Sequence, residues 1–224
     1  MNPLLVVAER ELRALVRTPS ALLAGIMIAV FLGLVPLMTT EAAEFEQVLF
    51  LQAPVLTAFI GYLFTGQAFL REKQEGSLET VLSAPLSLFD LWAGKAIGVA
   101  APAYALSLGC ILVAFGLKLP AMATSLPSGT MLVHVFVMTP LVTLAAVGLL
   151  GLLQLLLGMR ENQIMNMGVV ILLIVMITVA RAFVGDVVTW GAELGALGLA
   201  GMLLALLVAG TRLLDRERIV RTIA

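Results

Sequence analysis

The chain has 224 residues, 61% of them hydrophobic and only 12% charged, with a net charge of −1 and a mean hydropathy of +1.11. A water-soluble domain of this size cannot cover so much apolar surface with a polar exterior, so the composition excludes an ordinary soluble fold. The single cysteine, Cys110, excludes an intramolecular disulfide and reads as a small packing residue.

In chain order, residues 1–18 come first and carry Glu9, Arg10, Glu11, Arg13 and Arg17. Leu5, Ala8, Leu12, Leu15 and Val16 recur at helical spacing, while Glu9, Arg13 and Arg17 follow every four residues on another face. Such a helix lies along a membrane interface with its basic groups near anionic headgroups. Those charges do not fit a cleaved signal peptide, and the apolar run that follows is read as retained. Thr18 and Pro19 form an N-cap and first-turn proline, so the chain turns there and enters the membrane.

The rest, 19–224, reads as a transmembrane domain. Charge is absent from 18–40, 47–70, 96–117, 119–159, 162–180 and 194–211. About 20 apolar residues cross a hydrocarbon core of about 30 Å. Six spans are therefore expected, at 19–39, 48–70, 96–117, 131–157, 164–181 and 194–211, and the fold class is an all-α membrane protein. An even number puts both termini on one side. With that side inside, Arg10, Arg13, Arg17, Arg71, Lys73, Lys95, Arg160, Arg212, Arg216, Arg218 and Arg221 are cytoplasmic and only Lys118 and Arg181 lie outside. This satisfies the positive-inside tendency, which the reverse orientation violates.

The densest polar interruption is the loop 71–95, between the second and third spans. Gly76 ends what precedes it, Ser77 caps a short helix through Leu82, and Pro85 closes that helix. Ser87, three residues before Asp90, starts a second short helix leading into the third span. Such a folded loop serves either as a docking surface or as an anchor for that span. Farther along, Pro120, Pro127 and Gly129 mark an external turn, and 160–163 a tight cytoplasmic one. Gly148 and Gly151, and Gly195, Gly198 and Gly201, permit close helix contacts, while Pro54, Pro102 and Pro140 sit where they can kink spans. The tail from Arg212 continues as a solvated helix end rather than a nucleic-acid arm.

Chemistry is sparse. No Gly-rich stretch ends in Gly-Lys-Ser or Gly-Lys-Thr, so the chain itself is not expected to hydrolyse ATP, and no nucleophile, base and orienting acid occur together. The one histidine, His134, lacks a metal-ligand partner in sequence and reads as a polar packing residue near the outer end of the fourth span. Arg181, Asp186 and Glu193 belong to the external connection before the last span, where they can snorkel or face water, which weakens a carrier built on a buried acid.

Taken together, Glu72, Lys73, Gln74, Glu75, Gly76, Ser77, Leu78, Glu79 and Thr80, then Pro85, Leu86 and Ser87, and finally Gly94 and Lys95, resemble the signature loop of ABC-2 type transporter permeases. The amphipathic first helix resembles that family's connecting helix, and six spans with both termini inside match its architecture. The resemblance implies a non-catalytic permease subunit in the cell inner membrane, exporting a hydrophobic or amphipathic substrate. ATP and Mg would be bound and used by a separate nucleotide-binding subunit, a second copy of the permease would complete the pathway, and this chain would bind no cofactor and no nucleic acid. It further implies ATPase coupling through Glu72, Glu75, Gly76, Ser77, Leu78, Glu79, Pro85, Gly94 and Lys95. The chain lacks the large external domain of some members, and its length is also like that of the haem-exporter membrane subunit of cytochrome c maturation. A self-contained channel or secondary carrier, or a membrane scaffold, are the alternatives, and the substrate site is not legible.

Overall fold

A computed structural model describes residues 2–41, 44–76, 86–120, 127–158, 160–169, 171 and 189–221. Most of these are helical, with no strand among them. The helices are α1 (Pro3–Val16), α2 (Pro19–Thr39), α3 (Phe45–Gln74), α4 (Leu88–Lys118), α5 (Gly129–Leu156), α6 (160–169), α7 (Trp190–Gly210) and α8 (Arg216–Arg221). Five of them, α2, α3, α4, α5 and α7, are long and apolar enough to cross a membrane. The chain is thus a multi-pass membrane protein by length and composition. Much of the expected span 164–181 lies outside the described residues. Large apolar side chains point outward, Phe31 at 60% and Leu199 at 65% exposed, as a lipid-facing belt requires.

Helix α4 is the hub, packing against α1, α2, α3 and α5, while α7 leans on α5. Its 31 residues extend about 46 Å, well beyond an apolar slab of about 30 Å. Ser87 caps it as expected, its Oγ accepting from the Asp90 amide at 3.0 Å and donating to Asp90 Oδ2 at 2.6 Å. The second short helix is corrected, however: from Leu88 there is no break before the span. Nothing between Leu88 and Ala96 supplies a glycine with positive φ or a proline, so the cap starts one continuous rod.

Glycines decide how closely the rods approach. A Cβ on Gly94 would lie 2.7 Å from Val7 Cβ and 2.8 Å from the Leu4 carbonyl oxygen, and one on Gly98 would lie 2.7 Å from the Ala8 carbonyl oxygen. Thus α1 rests its backbone on a groove of α4 that only glycine leaves open. Gly148 lies under Trp92, whose indole N–H donates to the Gly148 carbonyl at 2.9 Å, and Gly151 lies under the Phe69 ring. Around Gly195, Gly198 and Gly201 no other described helix comes within 4 Å of a built Cβ, so no described helix packs on this stripe.

Three further expectations change. The buried face of α1 is Val7, Ala8, Glu11 and Leu15, while Leu5, Leu12 and Val16 face outward. Thr18 caps nothing and instead donates to the Ala14 carbonyl at 2.9 Å, although Pro19 does open α2. Residues 160–163 are not a turn but the start of α6, with the Asn162 amide donating to the Gly158 carbonyl. The tail is only partly solvated, since Leu214 and Ile219 are buried and the Arg216 guanidinium donates to the Leu86 carbonyl at 2.6 Å.

Substituting Gly98→Val should cost about 1–3 kcal/mol by forcing α1 off α4. Thermal unfolding in detergent, together with proteolysis near residue 17, would measure it against Gly109→Ala, where the added Cβ has open space.

Candidate functional site

Where α1, α3 and α4 meet, charge is buried. Lys95 sits two turns into α4, fully enclosed, because the close approach at Gly94 and Gly98 brings α1 over it. Its Nζ lies 2.9 Å from Glu11 Oε1 and 2.8 Å from Glu72 Oε2, and donates to the Ala68 carbonyl at 2.7 Å. The ammonium also faces the Phe69 ring, 5.4 Å from its centroid. Glu72 takes a second cation on its other oxygen, Arg10 Nη2 at 3.3 Å. Lys95 and Glu11 are enclosed, Glu72 is partly buried, and Arg10 closes the set from the exposed side at the seam of three helices. Burying the ammonium without its carboxylates would be prohibitive.

The Ala68 carbonyl is available for a structural reason. Residues Gly66–Leu70 are π-helical, which widens the turn and turns carbonyls away from the normal helical ladder. Lys95 then completes what the local geometry opens.

The next residue ties α3 to the opposite neighbour. Buried Lys73 donates to the Gln154 carbonyl at 3.3 Å and to that of Leu157, the carbonyl end of α5. Asn162 of α6 donates to the same two carbonyls at 3.2 and 3.1 Å. A helix leaves its last carbonyls without internal donors and carries partial negative charge there, so an ammonium and an amide cap it well. Consecutive residues Glu72 and Lys73 thus fasten the end of α3 to α1 and α4 on one side and to α5 and α6 on the other.

The expected site residues now separate. Glu72, Gly94 and Lys95 converge in the buried joint, and Gly94 and Lys95 belong to a helix rather than a loop. Glu75 is exposed and paired with Arg71 at 2.7 Å, a contact worth only about 0.3–0.5 kcal/mol. Gly76, at φ 70°, ends α3 in a left-handed turn that glycine adopts without strain. Ser77, Leu78, Glu79 and Pro85, and the short helix expected from Ser77, lie outside the described residues. Residue-by-residue reading missed Glu11, Arg10 and Lys73 as partners. Glu11 was detectable, standing midway between Val7 and Leu15 at four-residue steps on the face that is buried.

A second buried pair lies toward the far end of the bundle. His134 Nδ1 is 2.9 Å from Glu193 Oε2, both side chains are fully enclosed, and Phe50 stacks on the imidazole with centroids 3.9 Å apart. His134 does pack in the interior, but Glu193 neither snorkels nor faces water. Helix α7 begins at Trp190, capped by Thr189 Oγ1 accepting from the Ala192 amide, and its first turn carries Glu193 inward. Among the described residues no group of three or more histidine, cysteine or acidic side chains is placed to hold a metal ion. No protein-family model matches the chain, and no curated protein matches it.

Replacing Lys95 with Met leaves Glu11 and Glu72 facing each other in a dry seam and should destabilise the fold by about 3–5 kcal/mol. Adding Glu11→Gln and Glu72→Gln should recover a substantial part of that loss, since the uncompensated charge is then gone. Chemical denaturation in micelles reads both steps.

Proposed function

We propose that this chain is the permease subunit of an ABC transporter of the ABC-2 type, exporting a hydrophobic or amphipathic substrate as a homodimer driven by a separate nucleotide-binding subunit. In this reading the chain has six spans, the fifth in 164–181. The α1 end of the bundle is cytoplasmic, placing both termini and the loop 77–85 on that side. The subunit hydrolyses nothing itself.

The observation that carries the reading is the joint at Glu72, Lys73 and Lys95. The loop 77–85 joins α3, which ends at Gln74, to α4, which starts at Leu88. Displacing that loop therefore pulls on two rods that are fastened by buried charge to each other, to α1 and to α5. A force applied by an ATPase at the loop would move these helices together rather than bend one hairpin. Buried ionic contacts suit such a role because they hold one register and resist sliding to others. Acidic Glu75 and Glu79 would meet basic or polar groups on the ATPase, and Gly76 and Pro85 would shape the loop.

The test is co-expression with a nucleotide-binding subunit, co-purification, and ATPase and flux assays in proteoliposomes. Glu79→Ala should weaken complex formation about tenfold, the equivalent of about 1.4 kcal/mol, while leaving the permease folded. Unchanged assembly, ATPase stimulation and flux would remove Glu79 from the coupling role. Flux from the purified chain alone would favour a self-contained carrier, a reading that the enclosed His134–Glu193 pair keeps open.

A further inference from the structure

The enclosed pair at the far end is used by none of the steps above. An ionisable group in the apolar length of a membrane protein is costly to keep and marks a functional site by default. Here two such groups from two helices touch, His134 at the start of the π-helical segment His134–Met138 and Glu193 in the first turn of α7.

Among the described residues, the neighbours of the pair come from α3, α4 and α5. From α3 come the Phe50 ring and, a turn nearer the end, Glu46, whose Oε1 accepts from the Ser128 amide at 2.9 Å. From α4 comes the Tyr104 hydroxyl, which donates to the Val135 carbonyl at 3.1 Å. Within α5 the Thr139 hydroxyl donates to the His134 carbonyl at 2.9 Å. Glu193 is the acid that α7 contributes, and no described cation pairs with it apart from the imidazole.

The proton count follows from charge. A neutral imidazole beside a carboxylate leaves one net negative charge in apolar packing, whereas one added proton makes the pair neutral wherever that proton sits. A second added proton leaves a net positive charge and replaces a charge-assisted contact by a weaker one. His134 Nε2 and Glu193 Oε1 are both enclosed and have no hydrogen-bond partner among the described residues. With Nδ1–H donating to the carboxylate, an added proton sits on Nε2 or on Oε1, so these two atoms are where a proton can be delivered or removed.

We propose that His134 and Glu193 form a proton-binding site, and that its occupancy sets how firmly the start of α7 is held against the start of α5. Trp190 lies one turn before Glu193, and its Cζ2 is 3.5 Å from a Cβ built on Gly129, so its indole reports on that contact. The inference stands apart from the permease reading, because neither an ATPase nor a transported substrate enters its test.

The full chain in nanodiscs is titrated from about pH 9 to about pH 5, the range in which histidine-based sites exchange protons. Tryptophan emission should shift with pH, and the shift should disappear in Trp190→Phe, in His134→Asn and in Glu193→Gln. The same titration in both His134→Asn and Glu193→Gln, or a flat profile in the unaltered chain, overturns the proposal. A second measurement needs no variant: a hydrophobic carbodiimide modifies protonated carboxyls in apolar surroundings, and peptide mass gives the fraction of Glu193 modified. Modification should rise as the pH falls across that range. Modification that occurs but is independent of pH overturns the proposal even if a variant fails to fold.

Discussion

Inside hydrocarbon a bare carbonyl or ammonium has no water to turn to, and each polar group must find its partner within the protein. Much of this bundle can be understood as a response to that demand. Pro36 cannot bond the Leu32 carbonyl, and the helix ahead of it widens into π-helical geometry over Ala29–Leu34. Gln52 of the neighbouring span donates to the Leu32 carbonyl, and the Cys110 thiol lies 3.1 Å from that of Ala29. Pro140 stands just after the π-helical segment His134–Met138 in the same way, where Thr139 and Tyr104 supply donors. The third such segment, Gly66–Leu70, has no proline, and its donor is Lys95. Each of these three π-helical segments is therefore matched by side-chain donors, in most cases from another span. Local irregularity thereby becomes a link between helices.

The same demand explains why the charges occur as closed sets. Lys95 alone in a dry seam would be expelled; with Glu11, Glu72 and the Ala68 carbonyl it becomes a fixed point. Ionic burial of this kind contributes little net stability, because desolvation offsets most of the attraction. Its value is registry, since sliding α1 along α4 by one turn would strand a carboxylate. Gly94 and Gly98 make the registry tight by letting backbone rest on backbone, so packing and charge select the same arrangement. Lys73 applies the same logic to the end of α5. The region next to the loop is consequently held in one register by side-chain contacts.

Particular residues show how much could be read beforehand. The positions of α2, α3, α4 and α5 were legible because charge-free runs of this length have few alternatives, and Ser87 and Gly76 were legible as cap and terminator because their roles are local. Lys95 was singled out but placed in a loop; a cap signal marks where a helix starts, not how far it runs. Glu193 was placed in the external connection before the last span, where an acid can snorkel or face water. Which way the first turn of α7 points depends on α5 and Phe50, which no local pattern encodes.

By itself, then, the sequence determined a multi-span helical protein, an amphipathic first helix and one polar interruption, since hydropathy and turn chemistry act over short distances along the chain. Only the tertiary structure decided which charges meet. The partners of Lys95 lie 84 and 23 positions away, and those of the imidazole and the ammonium of Lys73 lie 59 and 81 positions away. Contacts at such separations follow from where glycines allow helices to approach and from how each rod is rotated, and these are settled only when the whole bundle packs.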